Sequence, residues 1–225
     1  MGIVLLAGFV FLFSKIRDSK LLKTVTKSNR GTRTERKLVL KLLKFGIPAE
    51  DIYHDLYLKK PKGDYSQIDV VAVTKVGIIV FEVKELSGWI YGNGHYTHWT
   101  KVLAYGTRKY RFYNPILQNN KHIADLRKHL RQFENIPFYS FVVFYGDCEL
   151  KEINYVPNGT FLVKSKRVTE VMKLIMKRNP PVLYTDKNEV IRVLREAVQN
   201  GEIPETQLQH VENIKDLLGK DRIFD

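Results

Sequence analysis

The stretch QIDVVAVTKVGIIVFEVK, residues 67–84, decides the fold. Its two halves, Gln67–Thr74 and Ile78–Lys84, are rich in β-branched and aromatic residues and are joined by the turn sequence TKVG. Such runs on either side of a short turn predict an antiparallel hairpin. Segments with helical spacing occur on both sides of this hairpin, so a mixed α/β domain is expected.

The register of this hairpin sets two carboxylates against each other. With the turn centred between Lys75 and Val76, the numbers of opposed residues sum to 151, so Asp69 lies opposite Glu82. Directly opposed side chains have Cβ atoms about 4.5–5.5 Å apart, and like charges at that separation are destabilising. A divalent cation such as Mg²⁺ would compensate, since it binds carboxylate oxygens together with water and phosphate.

A lysine and a third carboxylate accompany this pair. Because side chains alternate along a strand, Lys84 projects to the same face as Glu82, where it can orient or deprotonate an attacking water. Glu35 lies on the apolar face of a helix predicted over Thr34–Phe45. A buried carboxylate requires a partner, so Glu35 is expected to belong to the same site.

A further helix is predicted to line this cleft. Asn114 can cap it, Pro115 suits its first position, and the apolar pattern continues to about Phe133. Gln118 lies in its first turns and is expected to face the cleft, with Lys121 and His122 one turn further on.

These residues resemble a known family. The matching features are Glu35, the triplet Gln67-Ile68-Asp69, the triplet Glu82-Val83-Lys84, the pair Asn114-Pro115, and Gln118. Over roughly residues 31–145 they resemble the nuclease-related domain (NERD) family, a branch of the PD-(D/E)xK nuclease superfamily. The chain departs from the pattern in having Ile68 where proline precedes the aspartate, and Val70 where many members have histidine.

The resemblance implies a restriction-endonuclease-like core, with a mixed central sheet flanked by helices, and Mg²⁺-dependent hydrolysis of phosphodiester bonds in DNA or RNA. Mn²⁺ is implied as an alternative ion. By the same resemblance Asp69 and Glu82 ligate the metal with the Val83 carbonyl, and Lys84 handles the attacking water. Glu35 supports the metal or its water. Gln118 assists at the edge of the site.

The charge of the chain fits a polyanionic partner. Its 37 Lys and Arg residues against 24 Asp and Glu residues give a formal net charge of +13, which favours nucleic acid or an anionic membrane surface. Cys148 is the only cysteine, so an intrachain disulfide and a cysteine-rich zinc site are excluded. His95 and His98 without clustered ligands are more typical of a loop or of nucleic-acid contacts than of zinc.

The amino terminus predicts a membrane anchor. Gly2–Phe13 is an uncharged, mostly apolar run, followed by the basic residues Lys15, Arg17 and Lys20. Extended to Ile16, residues 2–16 would attach to a membrane, and the basic residues would keep the rest of the chain in the cytoplasm. About 20 apolar residues are needed to span a bilayer, so the run is short, and a buried or amphipathic helix is the alternative.

The chain is expected to consist of an anchor with a basic linker (residues 1–30), the nuclease-related domain (31–165) and a helical extension packed on the same domain (166–225). Further predicted strands are Asp55–Leu58, Ser140–Tyr145 and Thr160–Val163, and further predicted helices are Val168–Lys177, Lys187–Gln199 and Glu205–Leu218. The stretch Ser87–Thr100 is expected to be a loop.

Aromatic and basic residues near this stretch suggest contacts with nucleic acid. The aromatic residues are Trp89, Tyr91, Tyr96 and Trp99, and the basic residues are Lys101, Arg108, Lys109 and Arg111. The aromatic side chains can stack on bases and the cations can bind phosphates. For the two tryptophans, packing in the core is an equally good explanation.

The primary hypothesis is a membrane-tethered, cytoplasm-facing, Mg²⁺-dependent nuclease. A first alternative is a catalytically inactive module that binds nucleic acid at the membrane. A second is a structural membrane protein that uses the basic stretch Lys15–Lys44 on anionic lipid. The sequence identifies no protein partner.

Overall fold

Two β-sheets flanked by helices form the described part of the chain, which in this computed structural model comprises residues 2–61, 63–103, 106–130, 135–184 and 186–220. The strands are β1 Ile52–Lys59, β2 Tyr65–Thr74, β3 Gly77–Glu85, β4 Gly88–Asn93, β5 His98–Leu103, β6 Arg108–Tyr113, β7 Phe138–Tyr145, β8 Cys148–Asn154 and β9 Thr160–Lys164. The helices are α1 Gly2–Leu22, α2 Arg33–Phe45, α3 Pro115–His129, α4 Val168–Arg178, α5 Lys187–Asn200 and α6 Pro204–Lys220.

The first sheet has the strand order β1-β2-β3-β7-β9 among the described residues. β1, β2 and β3 are antiparallel, whereas β3, β7 and β9 are parallel, so the sheet is mixed. Apolar residues of α2 and α4 pack on one face, and those of α3 and α5 pack on the other. This architecture confirms the expected mixed α/β fold with a sheet between helices.

The hairpin of β2 and β3 has the predicted register. Its pairs run from Thr74↔Gly77 to Val70↔Phe81, and each pair sums to 151. Gly77 has a φ of +133°, and a Cβ there would lie 2.3 Å from the carbonyl oxygen of Pro137. Only glycine fits this turn without displacing backbone.

The stretch Ser87–Thr100 is not a loop, and the sequence expectation for it was wrong. It contributes β4 and the start of β5 to a second sheet of order β6-β5-β4-β8 among the described residues. Ile90 and Trp99 are buried in this sheet, and Trp99 stacks on Phe144 of β7 with ring centroids 6.5 Å apart. The second sheet therefore packs on the same face of the first sheet as α3.

The helices predicted near the carboxyl terminus are present as α4, α5 and α6, with ends within two residues of the expectation. α2 begins one residue before its predicted start. α3 begins at Pro115 as predicted and ends at His129, and the expected end near Phe133 falls outside the described residues.

The amino-terminal anchor expectation requires correction. Gly2–Leu22 is helical, but none of the helices in the described ranges is both long and apolar enough to cross a membrane. The physical reason is that Lys15, Arg17 and Asp18 follow the short apolar run within the same helix. The transmembrane anchor through residues 2–16, and the cytoplasmic orientation deduced from it, are not supported.

The segment after α1 is folded against the domain. Lys44 of α2 forms an ion pair with Asp18 of α1 at 2.6 Å. Thr26 and Arg30, which lie in the stretch expected to be a linker, are both buried. Both residues belong to a buried polar network with His54 and Asp55 of β1.

Candidate functional site

The site lies where the β2–β3 hairpin opens. Val70↔Phe81 is the last pair of the ladder on this side, so Asp69 and Glu82 are the first residues beyond it. The backbone N–H of Val83 donates a hydrogen bond to Asp69 Oδ2 at 2.7 Å. The side chain of Asp69 thus accepts a backbone hydrogen bond from β3 that a carbonyl of β2 would accept in a regular ladder. Asp69 and Glu82 lie at the same opening without forming a regular strand pair.

The ladder between β1 and β2 is interrupted at the same level. His54 pairs with Val70 and Leu56 pairs with Ile68, while the intervening Asp55 and Asp69 are not paired. Asp55 has a φ of +56°, which is uncommon for a residue other than glycine. The sheet is therefore distorted on both sides of Asp69.

A buried arginine holds Asp55 in this conformation. Arg30 Nε donates to Asp55 Oδ2 at 2.7 Å, and Arg30 Nη2 donates to the Asp55 carbonyl at 2.6 Å. Gln67 Nε2 donates to the other carboxylate oxygen of Asp55 at 2.8 Å. Both oxygens of this buried carboxylate thus have charged or polar donors, as a buried charge requires.

Glu82, Lys84 and Gln118 lie together as the sequence predicts. Lys84 Nζ is 2.7 Å from Glu82 Oε1 and donates to Gln118 Oε1 at 3.0 Å. Asn119, the next residue of α3, donates to the carbonyl of Val80 on β3 at 2.9 Å. This bond fixes α3 over the sheet, so the first turns of the helix face Lys84.

His122 approaches Glu82 from the next turn of α3. Its Nδ1 lies 3.1 Å from Ser66 Oγ, and its Nε2 lies 3.4 Å from Glu82 Oε2. The second contact lacks the alignment of a hydrogen bond, and neither Glu82 Oε2 nor His122 Nε2 has a hydrogen-bond partner among the described residues. Glu82 is 1% exposed, so this oxygen is a buried acceptor with unused hydrogen-bonding capacity beside the His122 imidazole.

Glu35 is held by a separate set of polar contacts. Thr32, the N-cap of α2, donates from Oγ1 to Glu35 Oε1 at 2.6 Å, and His54 Nε2 lies 3.3 Å from Glu35 Oε2. His54 Nδ1 in turn lies 2.7 Å from Thr26 Oγ1. Gly31 permits this packing, because a Cβ there would lie 2.3 Å from Glu35 Oε2.

The pKa of Asp69 is shifted in the opposite direction to the pKa values of Glu82 and Glu35. Burial, together with the nearby charges of Glu82 and Glu35, holds the pKa of Asp69 well above its ordinary value. Burial acts to raise the pKa of Glu82, but the His122 imidazole and the Lys84 ammonium outweigh it, and the pKa is lowered. The pKa of Glu35 is lowered in the same way, since contacts with His54 and Thr32 outweigh its burial.

The shift of the Asp69 pKa reflects its burial and the crowding of several carboxylates in one site. When several carboxylates share one site, protonation of one of them or a bound cation relieves the repulsion. Asp69 and Glu82 Oε2, which has no hydrogen-bond partner among the described residues, supply two oxygen ligands. The N–H and C=O of one strand residue point to the same edge, so the Val83 carbonyl also faces the opening near Asp69.

The oxygen ligands of the candidate site leave part of an ion's coordination shell open. No group of three or more His, Cys, Asp or Glu side chains in the described part of the chain is arranged to enclose a metal ion. Mg²⁺ does not require such an enclosure, because it is commonly bound by one or two carboxylates and completes its shell with water and substrate phosphate. The residues present fit this ion.

Sequence reasoning did not identify four residues of this polar network: Arg30, His54, Asp55 and Thr26. Arg30 and Thr26 fall in the stretch expected to be a linker, and His54 precedes the predicted start of β1. Polar residues immediately before a predicted strand are weak evidence for a buried polar network. Their burial becomes apparent only once α2, β1 and β2 are packed together.

Comparison with known proteins identifies a family and one similar protein. A family model described as nuclease-related domain matches residues 30–145, which is more than half of the chain. An uncharacterized protein of Bacillus anthracis is 30% identical over 125 residues, which make up 56% of this chain and 57% of that protein. The chain therefore spans little more than half the length of this relative. No solved structure matches the chain.

Proposed function

We propose, since this chain belongs to the nuclease-related domain family, that it is a metal-dependent nuclease that hydrolyses phosphodiester bonds of DNA or RNA. The observation that carries the proposal is the meeting of Asp69, Glu82 and Lys84 at the hairpin opening, where the buried Glu82 Oε2 lacks a hydrogen-bond partner among the described residues. Mg²⁺ is the ion that best fits these oxygen donors, with Mn²⁺ as an alternative.

Asp69, Glu82 and the Val83 carbonyl would hold the ion. When bound, Mg²⁺ would polarise a phosphoryl oxygen and offset the negative charge of the phosphate. Asp69 would bind the ion as a carboxylate, because the charge of the ion offsets the repulsion among the crowded carboxylates.

Lys84 would act on the reacting phosphate. Gln118 and Glu82 hold its ammonium group in place, and its side chain is 24% exposed, so it can reach a bound substrate. As water attacks the phosphorus and the bond to the leaving oxygen breaks, negative charge builds up on the phosphoryl oxygens. A fixed ammonium group stabilises that charge without reorganising.

Glu35 and Gln118 would support these steps. The lowered pKa of Glu35, set by His54 and Thr32 against its burial, keeps it ionised at neutral pH, where it can accept a hydrogen bond from a water at the edge of the site. Gln118 fixes the direction of Lys84 through its amide oxygen.

The test is cleavage of labelled DNA and RNA by the full chain in Mg²⁺, in Mn²⁺ and in EDTA. We expect cleavage with either ion and none in EDTA, and we expect Asp69→Ala to abolish it. Lys173→Ala, which removes an exposed lysine of α4, is the matched purification control and should cleave like the native chain. Absence of cleavage by the native chain with both ions would contradict the proposal, and would leave a non-catalytic nucleic-acid-binding module.

A further inference from the structure

The second sheet belongs to a segment that lacks acidic residues. Between Glu85 and Asp125 the sequence contains no Asp or Glu, whereas it contains five Lys and Arg residues. The segment forms β4, β5, β6 and the first part of α3. The chain thus places an uninterrupted basic segment beside the candidate site.

The register of this sheet separates its aromatic residues onto two faces. Ile90, Trp99 and Phe112 pack towards the first sheet. Since side chains alternate along each strand, the residues between them project outward. We call this the outer face, and its aromatic and basic members are Trp89, Tyr91, His98, Lys109, Arg111 and Tyr113.

The cross-strand pairs bring these residues into rows. Tyr91 of β4 pairs with Thr100 of β5, which in turn pairs with Arg111 of β6. His98 pairs with Tyr113, and their rings lie edge to face with centroids 6.3 Å apart. Aromatic rings therefore lie a short distance from the Arg111 guanidinium group on one surface.

The cations of the outer face are available to a ligand. Lys109 and Arg111 are exposed, and neither forms an ion pair with any residue that the structure describes. Tyr113 is 44% exposed. Among the described residues of this sheet, carboxylates occur only on β8, the neighbour of β4, where Glu149 is engaged by Lys151 at 2.8 Å and Glu152 pairs with Tyr91.

The outer face is tied to the candidate site through α3. β6 ends at Tyr113, and Asn114 both caps α3 and donates to the carbonyls of Asn93, Gly94 and Tyr96 in the β4–β5 turn. Gln118 follows five residues after Tyr113. One extended step and one helical turn place their Cα atoms roughly 10 Å apart.

We propose that the outer face binds single-stranded nucleic acid and delivers it to the site, an inference that rests on the proposed nuclease function. Bases of a single strand are free to stack on Tyr91, Tyr113 and His98, whereas bases in a duplex are already stacked and paired. Lys109 and Arg111 neutralise the phosphates of the same strand.

The test is binding of the full chain to a fluorescein-labelled oligothymidylate and to a duplex of equal length, measured by anisotropy in EDTA so that cleavage cannot interfere. We expect the native chain to prefer the single strand. We expect Tyr91→Ala/Tyr113→Ala to weaken this binding about tenfold or more, and Tyr91→Phe/Tyr113→Phe to retain it, because phenylalanine still stacks.

Substitution of the exposed cations Lys109 and Arg111 gives an independent test of binding to the outer face. Lys109→Ala/Arg111→Ala should lower the slope of log affinity against log salt concentration by about 1.4, since each phosphate contact to a single strand contributes about 0.7. Lys173→Ala/Arg178→Ala removes the same charge from α4 on the opposite face of the first sheet, and should leave the slope unchanged.

Two results would overturn the inference. One is native affinity in both outer-face variants while circular dichroism shows them folded. The other is equal affinity of the native chain for duplex and single strand, with the same loss in the variants. Binding is measured without metal and cleavage with metal, so a chain that binds through the outer face but never cleaves contradicts only the nuclease proposal. A chain that cleaves while its outer-face variants bind normally contradicts only this inference.

Discussion

Asp69 accepts a hydrogen bond from the backbone N–H of Val83 over 2.7 Å, at the point where β2 and β3 have ceased to pair. The carboxylate thereby occupies a position that a strand carbonyl would otherwise fill. It also lies close enough to Glu82 and Glu35 for their charges to raise its pKa, in addition to burial. A part of the fold that could have been a regular ladder instead holds a buried carboxylate close to two others, as is usual at functional sites.

This relationship predicts that Asp69→Asn stabilises the metal-free protein. A group whose pKa is raised in the folded state contributes most to stability below its ordinary pKa, near 3.8, and that contribution is lost as the pH rises through the folded value. In EDTA the native chain should therefore lose this contribution progressively as the pH rises above 3.8. The amide keeps an acceptor for the Val83 N–H but carries no charge.

Thermal unfolding in EDTA at several pH values measures this effect. The Asp69→Asn chain should melt several degrees above the native chain at neutral pH, with a smaller difference in acid. Asp147→Asn, a substitution of the same type at an exposed position, should change neither value. A lower melting temperature for Asp69→Asn at neutral pH would refute the electrostatic description of the site.

A bound metal ion should restore the stability that repulsion among the carboxylates at Asp69 costs the native chain. A ligand that binds only the folded state raises its stability according to its concentration relative to Kd. We expect Mg²⁺ or Mn²⁺ to raise the melting temperature of the native chain, and to leave that of Asp69→Asn and Glu82→Gln nearly unchanged. Ca²⁺ binding by calorimetry offers a second readout that involves no cleavage. Equal shifts in all three proteins would place the ion elsewhere.

The hairpin register and the grouping of Asp69, Glu82, Lys84 and Gln118 were predictable from the sequence. Side chains in a strand alternate with a period of two, and a short turn fixes which residues are opposed. Asn114 and Pro115 similarly fix the start of α3 by local chemistry.

The second sheet and the buried polar network were not predictable in this way. β4 and β8 pair in parallel although some 60 residues separate them, and no local signal reports such pairing. Whether Trp99 is core and Trp89 is surface depends on which face of that sheet packs on Phe144. The burial of Arg30 depends on Asp55 lying opposite it, which only the folded chain determines.

Arg30 should be among the most sensitive positions of the domain. Its side chain and that of Asp55 are 6% and 5% exposed, so Arg30→Ala leaves a buried carboxylate without its cation. Such losses typically cost about 3–5 kcal/mol. Urea denaturation should show this decrease in the free energy of unfolding.

A neighbouring surface pair provides the control for Arg30. Lys27 contacts Glu202 at a similar distance, 2.8 Å, but the two side chains are 67% and 45% exposed. Lys27→Ala should cost about 1 kcal/mol or less. Similar losses in the two variants would mean that the Arg30–Asp55 pair is not buried in solution.

Gly31→Ala should damage the site through Glu35. The residue has a φ of +55°, and its Cβ would meet Glu35 Oε2 at 2.3 Å and His54 Nε2 at 2.5 Å. Gly63→Ala isolates the backbone contribution, because Gly63 also has a positive φ but has open space around its Cβ position. We expect Gly31→Ala to lose both stability and cleavage, and Gly63→Ala to lose about 1 kcal/mol of stability alone. Equal cleavage by the two variants would remove Glu35 from the site.

The most direct measurement of the central claim is the single-turnover cleavage rate of the native and Lys84→Ala chains at saturating Mg²⁺, with the melting-temperature shift recorded for each. Loss of a fixed donor to the developing charge typically slows a reaction about 10²–10³-fold. We predict that the native chain cleaves only with metal, and that Lys84→Ala retains the Mg²⁺-induced shift but cleaves slower by about that factor. Equal cleavage rates for the two chains, or no cleavage by the native chain, would contradict it.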